Sequence, residues 1–210
     1  MHVDLARPKK LYRYSDRQWL EKSLQHGEFR IRPASDYKFV ETDQARHDDE
    51  IVRTYSTPGK DVIITLQSGQ LIEPLGDIQY RNDVGTNYLT LCFSSRWDHF
   101  LFEDFPNTDS CLVIHEVEEF CERMHLAAAT ELPEWAGLDG AVLYGGSSPL
   151  GAIFSKPLQF IAQHEWRFSW RPPVEHSELL PISISIGSIE KIAEIALKPT
   201  QADLEPRFTI

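Results

Sequence analysis

The chain has 210 residues, 41% of them hydrophobic, and its aromatic residues are 11 Phe, 7 Tyr and 5 Trp. That composition is enough for one large domain with a sizeable core, and it excludes an intrinsically disordered chain. The 32 acidic residues outnumber the 21 basic ones and give a formal charge of −11. This charge disfavours a broad nucleic-acid-binding face but allows a local anion site.

Three features that the sequence lacks narrow the class of protein. No apolar run approaches the roughly 20 residues that cross a bilayer, and the first residues do not form a signal peptide. The cysteines Cys92, Cys111 and Cys121 include no CxxC pair, so neither a disulfide framework nor a cysteine-rich zinc site is expected. We expect a single domain over 1–210, without a membrane partner. It would be cytoplasmic, or delivered into a target cytosol without a cleaved signal peptide.

The first part of the chain is predicted to alternate strands with one helix. In chain order, the elements are a strand over 10–15, a helix over 17–24, a strand over 28–32 and a charged, helical or irregular segment over 36–53. Ser15 or Asp16 is placed to cap the helix, and Gly27 to end it. The helical period puts Trp19 on the same apolar face as Leu20.

Strands dominate the rest of the chain. They are predicted over 62–66, 79–81, 88–94, 111–115, 140–144, 165–170, 182–186 and 189–197, with an amphipathic helix over 116–128. The strand over 88–94 is largely apolar and is expected to be buried on both faces. Many strands with few helices indicate an α+β fold whose sheet is mainly antiparallel and mixed or split.

Three polar clusters interrupt otherwise apolar strands. Arg13 lies within the first strand, Ser94 and Ser95 follow the long buried strand, and Glu165 opens a later one. A carboxylate that enters an apolar strand raises the free energy of the folded state unless it is paired. Glu165 is therefore either salt-bridged to a cation such as Arg167 or retained for function, and the sequence leaves both explanations open.

Taken together, these clusters resemble the motifs of mono-ADP-ribosyltransferases of the Arg/Ser/Glu type. Arg13 stands on the first strand, Ser94 and Ser95 on a middle strand, and Gln163-His164-Glu165 late in the chain. The resemblance implies an ADP-ribosyltransferase-like fold, in which a split mixed or antiparallel sheet carries a few flanking helices. It also implies an NAD-dependent transferase, with NAD as its substrate.

The resemblance assigns a role to each of the matching residues. Arg13 would hold the pyrophosphate of NAD, since a guanidinium fork suits phosphate oxygens. Ser94 or Ser95 would orient the nicotinamide ribose. Glu165 would be the catalytic carboxylate, which holds a ribose hydroxyl and stabilises the oxocarbenium-like state in which the nicotinamide bond breaks.

Two further contacts follow from the same resemblance. An aromatic side chain such as Tyr12, Tyr14 or Tyr37 would support the nicotinamide ring. Gln163 is assigned to the catalytic site as the residue that contacts the acceptor, a protein side chain or a nucleic acid. Because Gln163 stands where many transferases have Glu, it implies an acceptor other than arginine.

A second resemblance, to a widespread bacterial family of unknown function related to these transferases, covers most of the chain. The matching segments are 11–14, 91–94, 154–157, 163–167 and 192–199. If the chain is such a transferase, it would act as a toxin, an effector or a phage-defence component, with a possible partner or immunity protein. The chain departs from the family pattern at Gln163, where Glu is usual. Ser94-Ser95-Arg96 also replaces the Ser-Thr-Ser of the transferases.

Other candidate sites have simpler explanations. The run Arg46-His47-Asp48-Asp49-Glu50 contains residue types that bind divalent metals, but a solvated charged loop explains it as well, and no metal site is expected. Gly145-Gly146-Ser147-Ser148 resembles a phosphate-binding turn but lacks the pattern of a P-loop or a dinucleotide fingerprint. A plain turn is the better interpretation.

The alternative function is a catalytically inactive binding or regulatory module of the same fold, such as an immunity-type protein. The strong negative charge would then complement a basic partner. Glu165 discriminates between the two functions. A buried carboxylate fully paired with Arg167 favours the inactive module, whereas an open cleft that Glu165 shares with Arg13 and Ser94 favours the enzyme.

Overall fold

A computed structural model describes residues 6–39, 51–105, 107–174, 176 and 178–200, with the backbone alone for 38, 39, 52–55, 80, 82 and 83. Its strands are β1 Leu11–Ser15, β2 Glu28–Pro33, β3 Val52–Thr57, β4 Ile64–Thr65, β5 Leu71–Ile72, β6 Ile78–Asp83, β7 Leu89–Ser94, β8 Ser110–Ile114, β9 Ala136–Ala141, β10 Leu143–Tyr144, β11 Ser155–Lys156, β12 Glu165–Arg171, β13 Ile182–Ser185 and β14 Ala193–Leu197. The helices are α1 Arg17–His26, α2 Leu101–Asp104 and α3 Val117–Glu131, with 3-10 turns over Ala34–Phe39, Gly59–Asp61, Ala152–Phe154 and Leu158–Gln163. None of the helices in these ranges has the length and apolar character needed to span a membrane.

Eight of the strands form one sheet, all of whose pairings are antiparallel. The order is β13-β2-β7-β1-β8-β14, and β12 pairs with β7 while β9 pairs with β12. The other strands form two-stranded sheets, which are antiparallel for β3–β6 and β4–β5 and parallel for β10–β11. The predicted α+β class with a mainly antiparallel sheet is therefore confirmed. The specific ADP-ribosyltransferase-like fold stays a prediction.

The sheet forks at β7. One edge of this strand pairs with β12 along its whole length. The opposite edge is shared, because β2 pairs with Leu89 and Thr90 while β1 pairs only with Ser94. Among the described strands, none pairs with 91–93 on this edge, so β1 and β2 diverge from one another here. This divergence leaves room for a cavity between them.

The two faces of the sheet carry apolar clusters of different size. The main core lies between one face and the helices α1 and α3, where Leu20, Phe120 and Met124 are buried against Phe93 and Phe168. On the other face a smaller cluster surrounds β1 and α2. Its buried members are Tyr14, Leu101, Phe102, Cys111 and Val113.

Helix α1 has the predicted ends. Asp16 caps it by accepting a hydrogen bond from a first-turn backbone N–H at 2.9 Å. Gly27 ends it in the left-handed region at φ 63°, and a Cβ there would lie 2.1 Å from the carbonyl oxygen of Gly187. The prediction for Trp19 was wrong, because its side chain is 56% exposed. Lys22 instead places its ammonium 4.7 Å from the centroid of the Trp19 ring.

Three predicted strands have different bounds in the structure. The strand expected over 62–66 is limited to Ile64–Thr65, and the last strand begins at Ala193 instead of 189. The strand expected over 140–144 is divided between β9 and β10, because the backbone N–H of Val142 turns to the carbonyl oxygen of Glu165. Pairing partners decide these bounds, and local sequence does not reveal the partners. Most of the segment predicted over 36–53 lies outside the described residues.

Candidate functional site

The fork between β1 and β2 contains a cavity of about 810 Å³. Five of the six predicted site residues line it: Tyr12, Arg13, Ser94, Gln163 and Glu165. These residues come from β1, from β7 and from the segment that leads into β12, which are far apart in sequence. The fold thus brings together side chains that the motifs only placed in order along the chain.

The strand register explains how three of these residues meet. Ser94 on β7 lies directly opposite Tyr12 on one side and Glu165 on the other. Directly opposed residues of antiparallel strands share a face of the sheet. Tyr12, Ser94 and Glu165 therefore form one row across three adjacent strands, on the face opposite the main core.

Glu165 is a buried ion-pair centre, with only 4% of its surface exposed. One carboxylate oxygen accepts from Nε of Arg167 at 2.6 Å, and the other accepts from Nζ of Lys156 at 3.0 Å. Burial acts to raise the pKa of Glu165, but the charges of Arg167 and Lys156 and the Arg167 hydrogen bond outweigh it. They hold that pKa well below its ordinary value, so the carboxylate is ionised at neutral pH.

Arg167 has the surroundings of a structural residue. It is fully buried, and besides Glu165 it donates to the carbonyl oxygen of Ile153 at 2.6 Å and to the hydroxyl of Tyr88 at 3.3 Å. Several partners are needed to hold a buried guanidinium. The salt-bridge explanation for Glu165 is therefore confirmed, although Glu165 lines the cavity as well.

Lys156 is the residue of this site that sequence reasoning missed. Its side chain is as buried as that of Glu165, and its ammonium lies 4.8 Å from the centroid of the Phe160 ring. The same ammonium donates to Oε1 of Gln163 at 2.9 Å and to Glu165. Lys156 thus ties the predicted acceptor residue to the predicted catalytic residue. Nothing in the sequence marks this lysine as buried.

A tight turn separates Gln163 from Glu165. The 3-10 turn that follows Pro157 ends at His164, whose φ of 42° is left-handed. Ser95 secures this turn, since its backbone N–H and its hydroxyl both donate to the carbonyl oxygen of His164 at 2.8 Å. Ser95 is not among the residues that line the cavity, and the contacts described for it are structural.

The other predicted cofactor residues have defined local partners. Nη1 of Arg13 donates to the carbonyl oxygen of Cys92 at 2.8 Å, on the edge of β7 that the fork exposes. The Ser94 hydroxyl donates to the carbonyl oxygen of Arg96 at 2.7 Å. Tyr12 packs edge-on against Trp97, with ring centroids 5.8 Å apart, and burial raises the pKa of its hydroxyl. These contacts fix the orientation of all three side chains.

The cavity is basic although the chain is acidic. Among its lining residues, the cations are Arg13, Lys22, Arg30, Arg32 and Lys156, and the acids are Glu28 and Glu165. The charge of Glu165 is already balanced by Lys156 and Arg167. A cavity with this surplus of positive charge favours an anionic ligand.

A second buried carboxylate lies outside the cavity, on β9. Asp139 accepts from Arg7 at 2.9 and 3.0 Å and from Nε1 of Trp166 at 3.0 Å, and His125 lies 2.8 Å away. Burial acts to raise the pKa of Asp139, but the hydrogen bonds from His125 and Arg7 hold it well below its ordinary value. Because these contacts tie the segment before β1 to β9 and α3, we interpret the cluster as structural.

Metal binding has no support in the part of the chain that the structure describes. Within those ranges, no three His, Cys, Asp or Glu side chains are grouped to hold an ion. The run Arg46-His47-Asp48-Asp49-Glu50 lies outside the described residues.

Comparisons of the chain with protein-family models, with curated proteins and with solved structures find no match.

Proposed function

We propose that the chain is an NAD-dependent mono-ADP-ribosyltransferase whose active site is the cavity at the fork of the sheet. The observation that carries the proposal is the shared position of Tyr12, Arg13, Ser94, Gln163 and Glu165 around one cavity. Their types match the requirements of NAD chemistry, and their convergence was not built into the motif order. The volume of about 810 Å³ lies within the roughly 300–1,000 Å³ typical of small-molecule sites.

The proposed roles are those that the resemblance to the transferases implies. Arg13 would contact the pyrophosphate, with its guanidinium oriented by the Cys92 carbonyl. Ser94, in the centre of the row, would orient the ribose, while Tyr12 on one side would support the nicotinamide ring. Glu165 on the other side would accept a hydrogen bond from a ribose hydroxyl.

In the reaction, the bond between the nicotinamide nitrogen and the ribose carbon breaks, and nicotinamide leaves with the bonding electron pair. The ribose ring becomes oxocarbenium-like and is then attacked by a nucleophile of the acceptor, which loses its proton. The ionised Glu165 would stabilise the positive charge on the ring. Gln163, which Lys156 holds beside Glu165, would contact the acceptor. In a bacterial cell, such a transferase would serve as a toxin, an effector or a phage-defence component.

A second candidate function, NAD binding without turnover, is favoured by one specific observation. Both carboxylate oxygens of Glu165 are already engaged by Arg167 and Lys156. Two cations beside one carboxylate weaken the field that would stabilise a positive charge on the ribose. The same cavity would then serve a binding or regulatory module, with the acidic surface available to a basic partner.

The experiment that tests the proposal is NAD binding by calorimetry together with nicotinamide release, with cell extract as the source of acceptors. The variants are Glu165→Gln and, as a matched control, Glu28→Gln, because Glu28 lines the same cavity. The transferase predicts turnover by the wild type and by Glu28→Gln but not by Glu165→Gln. Binding without turnover in all three proteins would establish the second candidate instead. If NAD neither binds nor is consumed, both functions are wrong.

A further inference from the structure

Two arginines on β2 line the cavity from the side opposite Glu165. Arg30 and Arg32 alternate with the buried Phe29 and Ile31, so both point away from the main core. Arg32 lies opposite Thr90 of β7, which has the same parity along its strand as Ser94. The two guanidiniums are therefore on the face of the sheet that carries the predicted catalytic row.

In the part of the chain that the structure describes, these two arginines lack the ion pair that four other arginines form. Arg7, Arg17, Arg123 and Arg167 each form a salt bridge with a carboxylate. Within the described residues, neither Arg30 nor Arg32 has a carboxylate within 4.0 Å or a hydrogen-bond acceptor for its side chain. Glu28 shares this face of β2 and lines the same cavity, but among the described residues it forms no ion pair with either arginine.

A pair of cations without counter-charge is unfavourable in the free protein. Like charges on one face of a strand repel one another, and Lys22 of α1 adds a third positive charge to the cavity lining. An anion between them would remove this repulsion and form charge-assisted hydrogen bonds with the two guanidinium forks. Ser183 of β13, which lies opposite Arg30 and also lines the cavity, places a hydroxyl beside the same location.

We propose that Arg30, Arg32 and Lys22 form a phosphate-binding subsite of the cavity, separate from Arg13. Its ligand is a small molecule that carries a phosphate or diphosphate group. A long polyanion is disfavoured because the rest of the chain is strongly acidic. The subsite does not depend on the proposed transferase activity. Under that activity, it would bind one phosphate of the NAD pyrophosphate while Arg13 contacts the other.

The test is calorimetric titration with inorganic pyrophosphate and with ADP-ribose, each at about 50 and about 200 mM salt. The variants are Arg30→Gln/Arg32→Gln and the conservative Arg30→Lys/Arg32→Lys. The control, Lys9→Gln/Lys10→Gln, removes two exposed cations that do not line the cavity. We expect the glutamine pair to weaken binding by about tenfold or more, since each lost bond is charge-assisted. The lysine pair should fall between it and the wild type, and the control should match the wild type.

Three results would overturn the subsite. They are failure of the wild type to bind either probe, equal affinity of the wild type and the glutamine pair, and an equal loss in the control. If the glutamine pair weakens the binding of pyrophosphate alone, the ligand of the subsite is a free phosphate. If it weakens the binding of ADP-ribose as well, the ligand is a nucleotide. Nicotinamide release separates the two proposals. If the probes bind through the arginines but no nicotinamide is released, the subsite is supported and the transferase is contradicted. If nicotinamide is released and the glutamine pair has the same KM for NAD as the wild type, the transferase is supported and the subsite is contradicted.

Discussion

The two faces of β7 and β12 are both buried but differ in chemistry. On one face, Phe93 and Phe168 pack into the main apolar core. On the other, Ser94 lies beside Glu165, whose charge Arg167 balances. An apolar face is stabilised by many small contacts that add up, whereas a buried polar network is favourable only when every member is satisfied. Burial alone therefore does not distinguish a core from a functional site, and the chemistry of the buried atoms does.

The largest effect is expected on the apolar face. Phe168→Ala should lower the free energy of unfolding by about 4 kcal/mol, because the ring is fully buried and its removal leaves a cavity. Urea unfolding followed by tryptophan fluorescence measures the change. A loss below about 1 kcal/mol would mean that the core closes around the missing ring and that the contrast between the faces is overstated.

Breaking the ion pair should cost nearly as much, but the losses from removing its two members should not add. Arg167→Met leaves Glu165 buried with Lys156 as its remaining cation partner, and we expect a loss of about 3 kcal/mol. In Glu165→Gln/Arg167→Met the charge-assisted bond between the two side chains is already absent, so the loss in the double variant should be smaller than the sum of the two single losses. Chemical denaturation of the four proteins of this cycle measures the coupling. Simple additivity would contradict a coupled pair.

Acid should remove the contribution of Glu165 to the stability of the polar face. The pKa of Glu165 lies below its ordinary value of 4.5, so the ionised carboxylate stabilises the fold above about pH 4.5. That contribution is lost as the pH falls towards the lowered pKa. Glu165→Gln lacks this contribution, and the gap in unfolding free energy between it and the wild type should therefore narrow below pH 4.5. Asp139 titrates in both proteins, so its contribution cancels from the difference in unfolding free energy. A gap that stays constant down to pH 2 would contradict the assignment.

The smallest effect is expected at the margin of the polar face. Ser95→Ala removes the hydroxyl bond to His164 but keeps the backbone bond to the same oxygen, so we expect a loss of about 1 kcal/mol. NAD binding should be unchanged, because Ser95 is outside the cavity lining. Ser94→Ala, the matched variant of a serine that lines the cavity, should weaken NAD binding. Calorimetry on both variants decides which serine belongs to the site.

Much of the sheet was predictable because its strands have strong local patterns. β7 is largely apolar, and the salt bridge to Arg167 was one of the two explanations that the sequence left open for Glu165. β9 was only partly predicted, since its sequence Ala-Gly-Leu-Asp-Gly-Ala has little strand propensity and forms a strand through pairing with β12. The pairing partner is not visible in the local sequence.

The candidate site was predictable in its residue types but not in its geometry. The row of Tyr12, Ser94 and Glu165 depends on the register of strands that are distant in sequence, which no local pattern specifies. Lys156 was missed because lysine is rarely buried, and only the turn that returns the chain to β12 encloses it. Arg30 and Arg32 are visible in the sequence as basic residues, but their lack of ion pairs among the described residues is a property of the fold.

The fork in the sheet has a consequence for motion. β12 is joined to β7 through six residue pairs, but β2 is joined through two and β1 through one. Because so few backbone pairs join β1 and β2 to β7, local separation of these strands requires the least free energy. The width of the cavity would then fluctuate, and amides near Arg32 would exchange hydrogen faster than those near Phe168. A ligand that contacts both Arg13 on β1 and Arg32 on β2 would hold the two strands together. It would slow hydrogen exchange at the amides of β2 alone.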